Sequence, residues 1–403
     1  MSHIVVIGAG QAGAALVAKL RKDGFDGDIT LIGAEEALPY QRPPLSKAYL
    51  LGEMEKERLY LRPESFYAEN NITLKLGSVV TGIDPVAKTV ALGDEVITYD
   101  QLALTTGSSP RRLPAAIGGD LAGVHVVRDL KDVDGMAPEV SQGKRALIVG
   151  GGYIGLEAAA VCAKRGVSVV LVEMAERILQ RVAAAETADY FRALHHSHGV
   201  EIRENTGLTR LIGENGQVTG AELSDGSKLD VDFVVVGVGI APASDLAEVA
   251  GLGIDNGIKT DAQGRSSDPS IWAAGDCASF PHKGGRIRLE SVPNAIDQAE
   301  IVAQNMLGAE KTYVAQPWFW SDQYDVKLQI AGLNSGYDQV VVRRGEGQQA
   351  SFWYFGGDQL LAVDAMNDPR AYMVAKRLID GGKTADKSLV ADPASDVKAL
   401  LKA

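Results

Sequence analysis

Two carboxylates stand at matching distances behind two matching glycine frames. Glu35 or Glu36 comes 22 residues after Gly13, at the end of "DITLIGAEE", and Glu173 comes 18 residues after Gly155, at the end of "VSVVLVE". A carboxylate at that spacing can take the ribose hydroxyls of an adenosine. The Gly-Ala-Glu-Glu run leaves the first register open by one residue. The frames themselves read G-x-G-x-x-G at Gly8, Gly10, Gly13 in "IVVIGAGQAGAALVAKL" and at Gly150, Gly152, Gly155 in "ALIVGGGYIGLEAAAVCAKRG". In a strand-to-helix turn the first glycine permits a tight bend and the second lets a pyrophosphate reach the backbone. The third allows close helix packing, and the helix N-terminus offers unpaired N–H groups to the phosphates. Two dinucleotides in one chain most simply mean FAD and a nicotinamide cofactor, which makes the protein a redox enzyme.

Other reactive side chains are sparse. The only cysteines are Cys162, within a helix, and Cys277, after the Gly-Asp turn at Asp276. They form no C-x-x-C, so neither a disulfide framework nor a zinc site is expected, and each reads as an inert buried thiol. "HHSH", His195 to His198, ends a helix just before Gly199 and reads as a C-terminal cap rather than a metal site. "HKGGRIR" gathers Lys283, Arg286 and Arg288 on a chain of formal charge -12. That cluster is either a solvated loop or a docking patch for an acidic partner.

The elements that must hold these groups follow from periodicity. At 403 residues the chain has material for two or three domains. Residues 1–109 open with the first frame and close at "YDQLALTTGSSPR". A second α/β unit, 110–240, carries the second frame and ends in "VDFVVVGVGIAP". Residues 241–320 start no third frame and are expected to complete the first domain around the inserted second. From there to 403 the text turns to β-rich alternation before a final helix near Pro369 to Asp380. The net negative charge argues against non-specific nucleic-acid binding. The N-terminal strand leaves no room for a signal peptide and no apolar run is long enough for a bilayer, so a soluble, cytoplasmic protein is expected.

The chain resembles the two-dinucleotide-binding flavoprotein reductases, and within them the oxygenase-coupled NADH-dependent ferredoxin reductases of the putidaredoxin reductase and biphenyl dioxygenase reductase type. The likeness runs in order through "LPYQRPPLSKAYL", "ALTTGSSPR", "VHVVRDLKD", "TDAQGRSSDPSIWAAGDC", "ESVPNAIDQA" and "WFWSDQYDVKLQIAG". It implies an α/β, glutathione-reductase-like fold of two Rossmann-like domains, for FAD and for NADH, with a smaller α+β C-terminal domain. It puts Gly8, Gly10, Ala12 and Gly13 on the FAD pyrophosphate, Glu35 on its ribose with Glu36 in reserve, and Arg42 and Lys47 along the flavin, the lysine near N5. Val80 would meet the adenine, Arg128 would face the cofactor, Asp276 would hold a ribityl hydroxyl, Val292 would offer its N–H to the pyrimidine edge, and Trp320 would lie beside the isoalloxazine. For NADH it assigns Gly150, Gly152 and Gly155 to the pyrophosphate and Glu173 to the ribose. Ile154 would pack by the nicotinamide, Glu157 would hold its carboxamide, and Gly239 would leave room opposite.

Glu173 would meet the 2'-phosphate of NADPH with a like charge, which favours NADH, although Arg177 four positions on could soften the choice. The stretch after the first ribose acid, "LPYQRPPLSK", has no cysteine, so electrons are expected to leave the flavin directly. The implied activity is hydride transfer from NADH to FAD, then two single-electron transfers to a [2Fe-2S] ferredoxin serving a cytochrome P-450 type or ring-hydroxylating oxygenase. Lys283, Arg286 and Arg288 are the candidate docking residues. A rubredoxin reductase, an NADH oxidase and an apoptosis-inducing-factor-like signalling flavoprotein are the alternatives.

Overall fold

Short apolar runs that show no in-out alternation become strands buried on both faces, which is the environment a parallel sheet between helices provides. In the computed structural model, which describes residues 2–401, there are two such sheets. The chain divides into two units, Met1–Arg42, Glu55–Ser109 and Ile240–Pro317 in the first, and Pro43–Met54, Pro110–Gly239 and Trp318–Ala403 in the second. Pro43–Met54, expected within the first domain, groups with the second unit.

In the first unit the sheet order is Ile271–Ala273, Gln101–Leu104, His3–Ile7, Asp28–Ile32, Ile72–Lys75, all parallel. The frame helix Gln11–Lys22 buries Ala12, Leu16, Val17 and Leu20 in one core with Ala295, Ala299, Val302 and Met306 of the late helix Val292–Met306. Small residues on both helices let them approach closely. In the second unit the order is Glu201–Arg203, Ser168–Val172, Arg145–Val149, Phe233–Val236, Val124–His125, again parallel. The same unit contains a five-stranded antiparallel sheet, in the order Trp318–Gln323, Val326–Gly332, Gln359–Met366, Ala350–Gly356, Gln339–Arg344. Helix Pro369–Asp380 covers one face of it through Ala371, Val374, Ala375 and Leu378. No helix among the described residues is long and apolar enough to cross a membrane.

The other face of that sheet carries a buried carboxylate. Asp364 accepts hydrogen bonds from Thr187 Oγ1 at 2.6 Å and from the Tyr354 hydroxyl, and that hydroxyl accepts the Ala184 N–H at 3.0 Å. This joins the sheet to the start of helix Ala185–Ser197. Burial pushes the Asp364 carboxyl up to about 6, against the two hydroxyl donors. A raised carboxyl adds stability that is complete below its unfolded value and lost as pH rises through the folded one, here from about pH 4 to 6. Burial pulls His195 of the same helix down to about 4. Its contribution has the opposite sign, complete above the unfolded value near 6.5 and lost as pH falls toward 4. The two slopes, each on the order of 3 kcal/mol for shifts of this size, oppose one another in the wild type. Asp364→Asn is therefore expected to lose stability more steeply than wild type between pH 6.5 and 4.5 in urea unfolding. Parallel pH profiles would mean that Asp364 does not titrate in that window.

Candidate functional site

The two glycine frames have the same internal geometry. Gly8 lies at φ +112°, and a Cβ there would sit 2.2 Å from the Thr105 carbonyl oxygen; at Gly150, φ +106°, it would sit 2.4 Å from the Gly237 carbonyl oxygen. Both are places where a second strand passes against the turn. A Cβ on Gly13 would lie 2.0 Å from the Gly8 oxygen, and on Gly155 2.1 Å from the Gly150 oxygen, so each frame helix is seated directly on its own loop. Gly10 and Gly152 differ from these, since nothing lies within 4 Å of a Cβ at either. Each is the N-cap of its helix, uncapped by any side chain and with no acid in the first turn. The N–H groups there open onto clear space with positive dipole, the surroundings a pyrophosphate needs. Thr105 completes the first frame by donating from Oγ1 to the Gly8 carbonyl at 2.8 Å.

In the first unit, Glu35 is held by Arg42 at 2.6 Å on one oxygen and by the Tyr40 hydroxyl at 2.5 Å on the other. The Arg42 guanidinium also lies over the Tyr40 ring, while Glu36 is exposed. Asp276 accepts from Ser108 Oγ at 3.0 Å. Next to it Gly275 turns at φ +83° with Ala12 against it. Val80 is buried with Val5 and Ile7. Val292 is the first residue of a helix capped by Ser291, so its N–H has no acceptor within that helix.

In the second unit, the Glu173 carboxylate accepts the Gly151 N–H at 2.7 Å and the Ala175 N–H at 2.8 Å. It is fixed at the rim of the second frame with lone pairs to spare. Arg177 does not face outward; its guanidinium donates to the carbonyls of Ala183 at 2.8 Å, Ala184 at 3.3 Å and Ile178 at 3.4 Å. Ile154 is exposed, and Gly239, at φ +102°, has Arg181 as its nearest neighbour. Arg128 sits at the capping box of helix Leu130–Met136, its N–H on Asp132 at 3.2 Å. Trp320 is half-buried and packs on Trp318 with ring centroids 5.5 Å apart.

The second unit also brings Lys47 and Glu157 together. Glu157 is 5% exposed and accepts three donors at 2.6 Å, Lys47 Nζ and Ser46 Oγ on one oxygen and Ser321 Oγ on the other. A helix-surface glutamate would show none of this. A buried charge persists only where it is paired and hydrogen-bonded, and every oxygen here is served.

Residues 2–299 match the pyridine nucleotide-disulphide oxidoreductase family, and residues 318–401 match the reductase C-terminal family. The chain belongs to the pyridine nucleotide-disulphide oxidoreductases. It is 45% identical over 384 residues to a ferredoxin–NAD(P)(+) reductase of a Sphingomonas species, covering 94% of this chain and 92% of that one. It is 38% identical over 371 residues to a rubredoxin–NAD(+) reductase of Pseudomonas putida, covering 91% and 96%. Among solved structures, the covalent putidaredoxin reductase–putidaredoxin complex superposes with a TM-score of 0.96 at 38% identity, over 100% of this chain and 98% of that one.

This member of the disulphide oxidoreductase family has no disulphide. Cys162 and Cys277 are free and buried, and burial raises both thiols, Cys162 to about 12. Neither is suited to attack as a thiolate. The basic cluster is tied to the backbone of its own unit. Arg286 donates to the carbonyls of Thr260 and Ser279 at 2.6 and 2.5 Å; Arg288 donates to the Asp276 carbonyl at 3.1 Å and pairs with Glu290 at 2.5 Å. Both arginines clamp the hairpin Ala278–His282 and Gly285–Ile287 onto its own unit, and only Lys283 of the three is exposed. His195 and His198 end their helix, with His198 Nδ1 on the Leu194 carbonyl. Among the described residues no group of three or more His, Cys, Asp or Glu is placed to hold a metal ion. Sequence reasoning missed Thr105, Tyr40, Ser46 and Ser321, although all four lie inside stretches quoted for the resemblance.

Proposed function

We propose that this chain is an NADH-dependent ferredoxin reductase, with FAD on the first glycine frame and NADH on the second. The full-length likeness to a ferredoxin–NAD(P)(+) reductase carries this reading, and the two open glycine cradles agree with it. The chemistry that FAD would supply when bound is the conversion of a two-electron hydride into single electrons, as a one-electron [2Fe-2S] carrier requires. The residues of the chain bind and orient. Glu35, fixed by Arg42 and Tyr40, is the ribose acid for FAD, and Asp276 takes a ribityl hydroxyl. Val292 gives its N–H to the pyrimidine edge. Lys47, with Arg42 and Trp320, lies along the flavin, and Glu157 takes the nicotinamide carboxamide. The two buried thiols suit a reducing cytosol.

A ferredoxin of the [2Fe-2S] class is the electron acceptor, and its oxidation partner is an oxygenase. The rubredoxin–NAD(+) reductase relative gives the second reading, in which the carrier is a rubredoxin. The purified protein is expected to hold one FAD per chain and to bleach under NADH without oxygen; a folded preparation that FAD cannot reconstitute contradicts the proposal. Glu173 sets nucleotide choice, because its carboxylate stands at the second frame while the Arg177 guanidinium spends its N–H donors on carbonyls rather than on a 2'-phosphate. Glu173→Ala should weaken NADH by about 1.5 to 3 kcal/mol, the loss of a charge-assisted hydrogen bond, with a much smaller effect on NADPH. Isothermal titration with both nucleotides reads the difference, and equal losses would remove Glu173 from the ribose.

A further inference from the structure

We infer that Tyr324, His195, Gln323 and Ser321 are positioning residues, a one-directional hydrogen-bond chain that fixes the orientation of the Glu157 carboxylate toward Lys47. The functional half of this inference rests on the proposed role of Glu157 at the nicotinamide.

The links are continuous. Tyr324 Oη lies 3.1 Å from His195 Nδ1, His195 Nε2 lies 2.8 Å from Gln323 Oε1, Gln323 Nε2 lies 3.3 Å from Ser321 Oγ, and Ser321 Oγ lies 2.6 Å from Glu157 Oε1. Chemistry fixes their direction. Gln323 Oε1 can only accept, so His195 Nε2 carries the hydrogen; Nδ1 of the neutral ring then accepts from the Tyr324 hydroxyl. The Gln323 amide donates to Ser321 Oγ, whose own hydrogen goes to the carboxylate. Every donor points toward Glu157. Bonds aligned this way polarise one another and reinforce the terminal acceptor.

The chain suits positioning rather than proton conduction. A carboxamide joins its neighbours through two different atoms and has no hydroxyl or ring to hand a proton across. His195 must stay neutral for the polarity to hold, and burial, which pulls it down to about 4, keeps it so. The ionisable groups facing the chain are His196 and His198 on its own helix, Cys162 toward Tyr324, and Lys47 at Glu157. Tyr324 starts the chain from an uncommon conformation. It sits at φ +57° in the turn between Trp318–Gln323 and Val326–Gly332, which a bulky side chain rarely adopts. Stacking on His198, with centroids 3.6 Å apart and planes at 13°, holds it there. Backbone strain of this kind persists where the surroundings over-determine it, often at functional sites.

Gln323→Leu and His195→Phe break the chain at different links, and His195→Gln restores a donor near the Nε2 position. In the flavin-loaded protein at saturating NADH, single-turnover flavin reduction is expected to run at the wild-type rate in His195→Gln and about tenfold slower in the two broken variants, rescue by the donor-restoring variant separating positioning from packing. Infrared spectra read the carboxylate without turnover. The carboxylate band that Glu157→Gln removes should be shifted from its wild-type position in Gln323→Leu and His195→Phe and restored in His195→Gln. Wild-type rates and an unshifted band in both broken variants would overturn the inference. If Glu157→Gln itself leaves flavin reduction and NADH affinity at wild-type values, the role of Glu157 at the nicotinamide falls instead, and the functional half of the inference with it.

Discussion

Glu157→Leu is expected to lower the unfolding free energy by about 3 to 5 kcal/mol, the cost of leaving one partner of a buried ion pair without the other. The leucine fills most of the glutamate's volume, so the loss is electrostatic rather than a cavity. It strands the Lys47 ammonium, which is only 17% exposed, together with the hydroxyls of Ser46 and Ser321. Lys47→Met should cost less, because Glu157 keeps two hydroxyl donors. The double variant should be more stable than the sum of the two losses by about 2 kcal/mol or more, since apolar residues tolerate the site once both charges are gone. Denaturant unfolding of the four proteins checks this, and additive losses would mean that the pair is not coupled. All three variants should reduce flavin with NADH far more slowly than wild type, on the proposed placement of these side chains.

Gly8→Ala and Gly10→Ala should separate folding from cofactor binding, although only one residue lies between them. At Gly8 the new Cβ meets a backbone carbonyl at 2.2 Å and φ is +112°, so neither partner has a flexible end to move. A loss above about 4 kcal/mol is expected, in the exceptional range for a single substitution. At Gly10 φ is -89° and ψ -160°, which alanine adopts readily, and nothing stands within 4 Å. The apoprotein should keep wild-type stability, yet its methyl group occupies the space through which a pyrophosphate would reach the helix N-terminus. FAD affinity should fall by a factor of 100 or more, about 2.7 kcal/mol or greater. Flavin fluorescence and urea unfolding of the same preparation read both quantities. Full flavin occupancy in Gly10→Ala would place the pyrophosphate elsewhere.

What the sequence made legible is local. The frames are visible because each packs a strand, a turn and a helix into one short run, and the paired apolar strands around them dictate the two parallel sheets. Glu35 and Arg42 are only seven residues apart, in two quoted stretches that all but adjoin. The surroundings of Glu157 were out of reach for the opposite reason. Ser46 and Ser321 lie 111 and 164 residues away in sequence, and nothing in their immediate neighbours marks them as donors to it. In the basic loop residue type reports charge but not direction. In that hairpin Arg286 and Arg288 turn toward backbone carbonyls, while Lys283, at φ +45°, takes the tip.

The most direct test of the proposed function is anaerobic stopped-flow of the NADH-reduced holoprotein mixed with a [2Fe-2S] ferredoxin, and separately with a rubredoxin, in a Cys162→Ser, Cys277→Ser background. With no thiol relay required, the cysteine-free protein should reduce ferredoxin at the wild-type rate, two ferredoxins for each NADH oxidised because a hydride carries two electrons and the cluster accepts one. Loss of ferredoxin reduction in the folded, flavin-loaded variant, or reduction of rubredoxin but of no [2Fe-2S] protein, would contradict it.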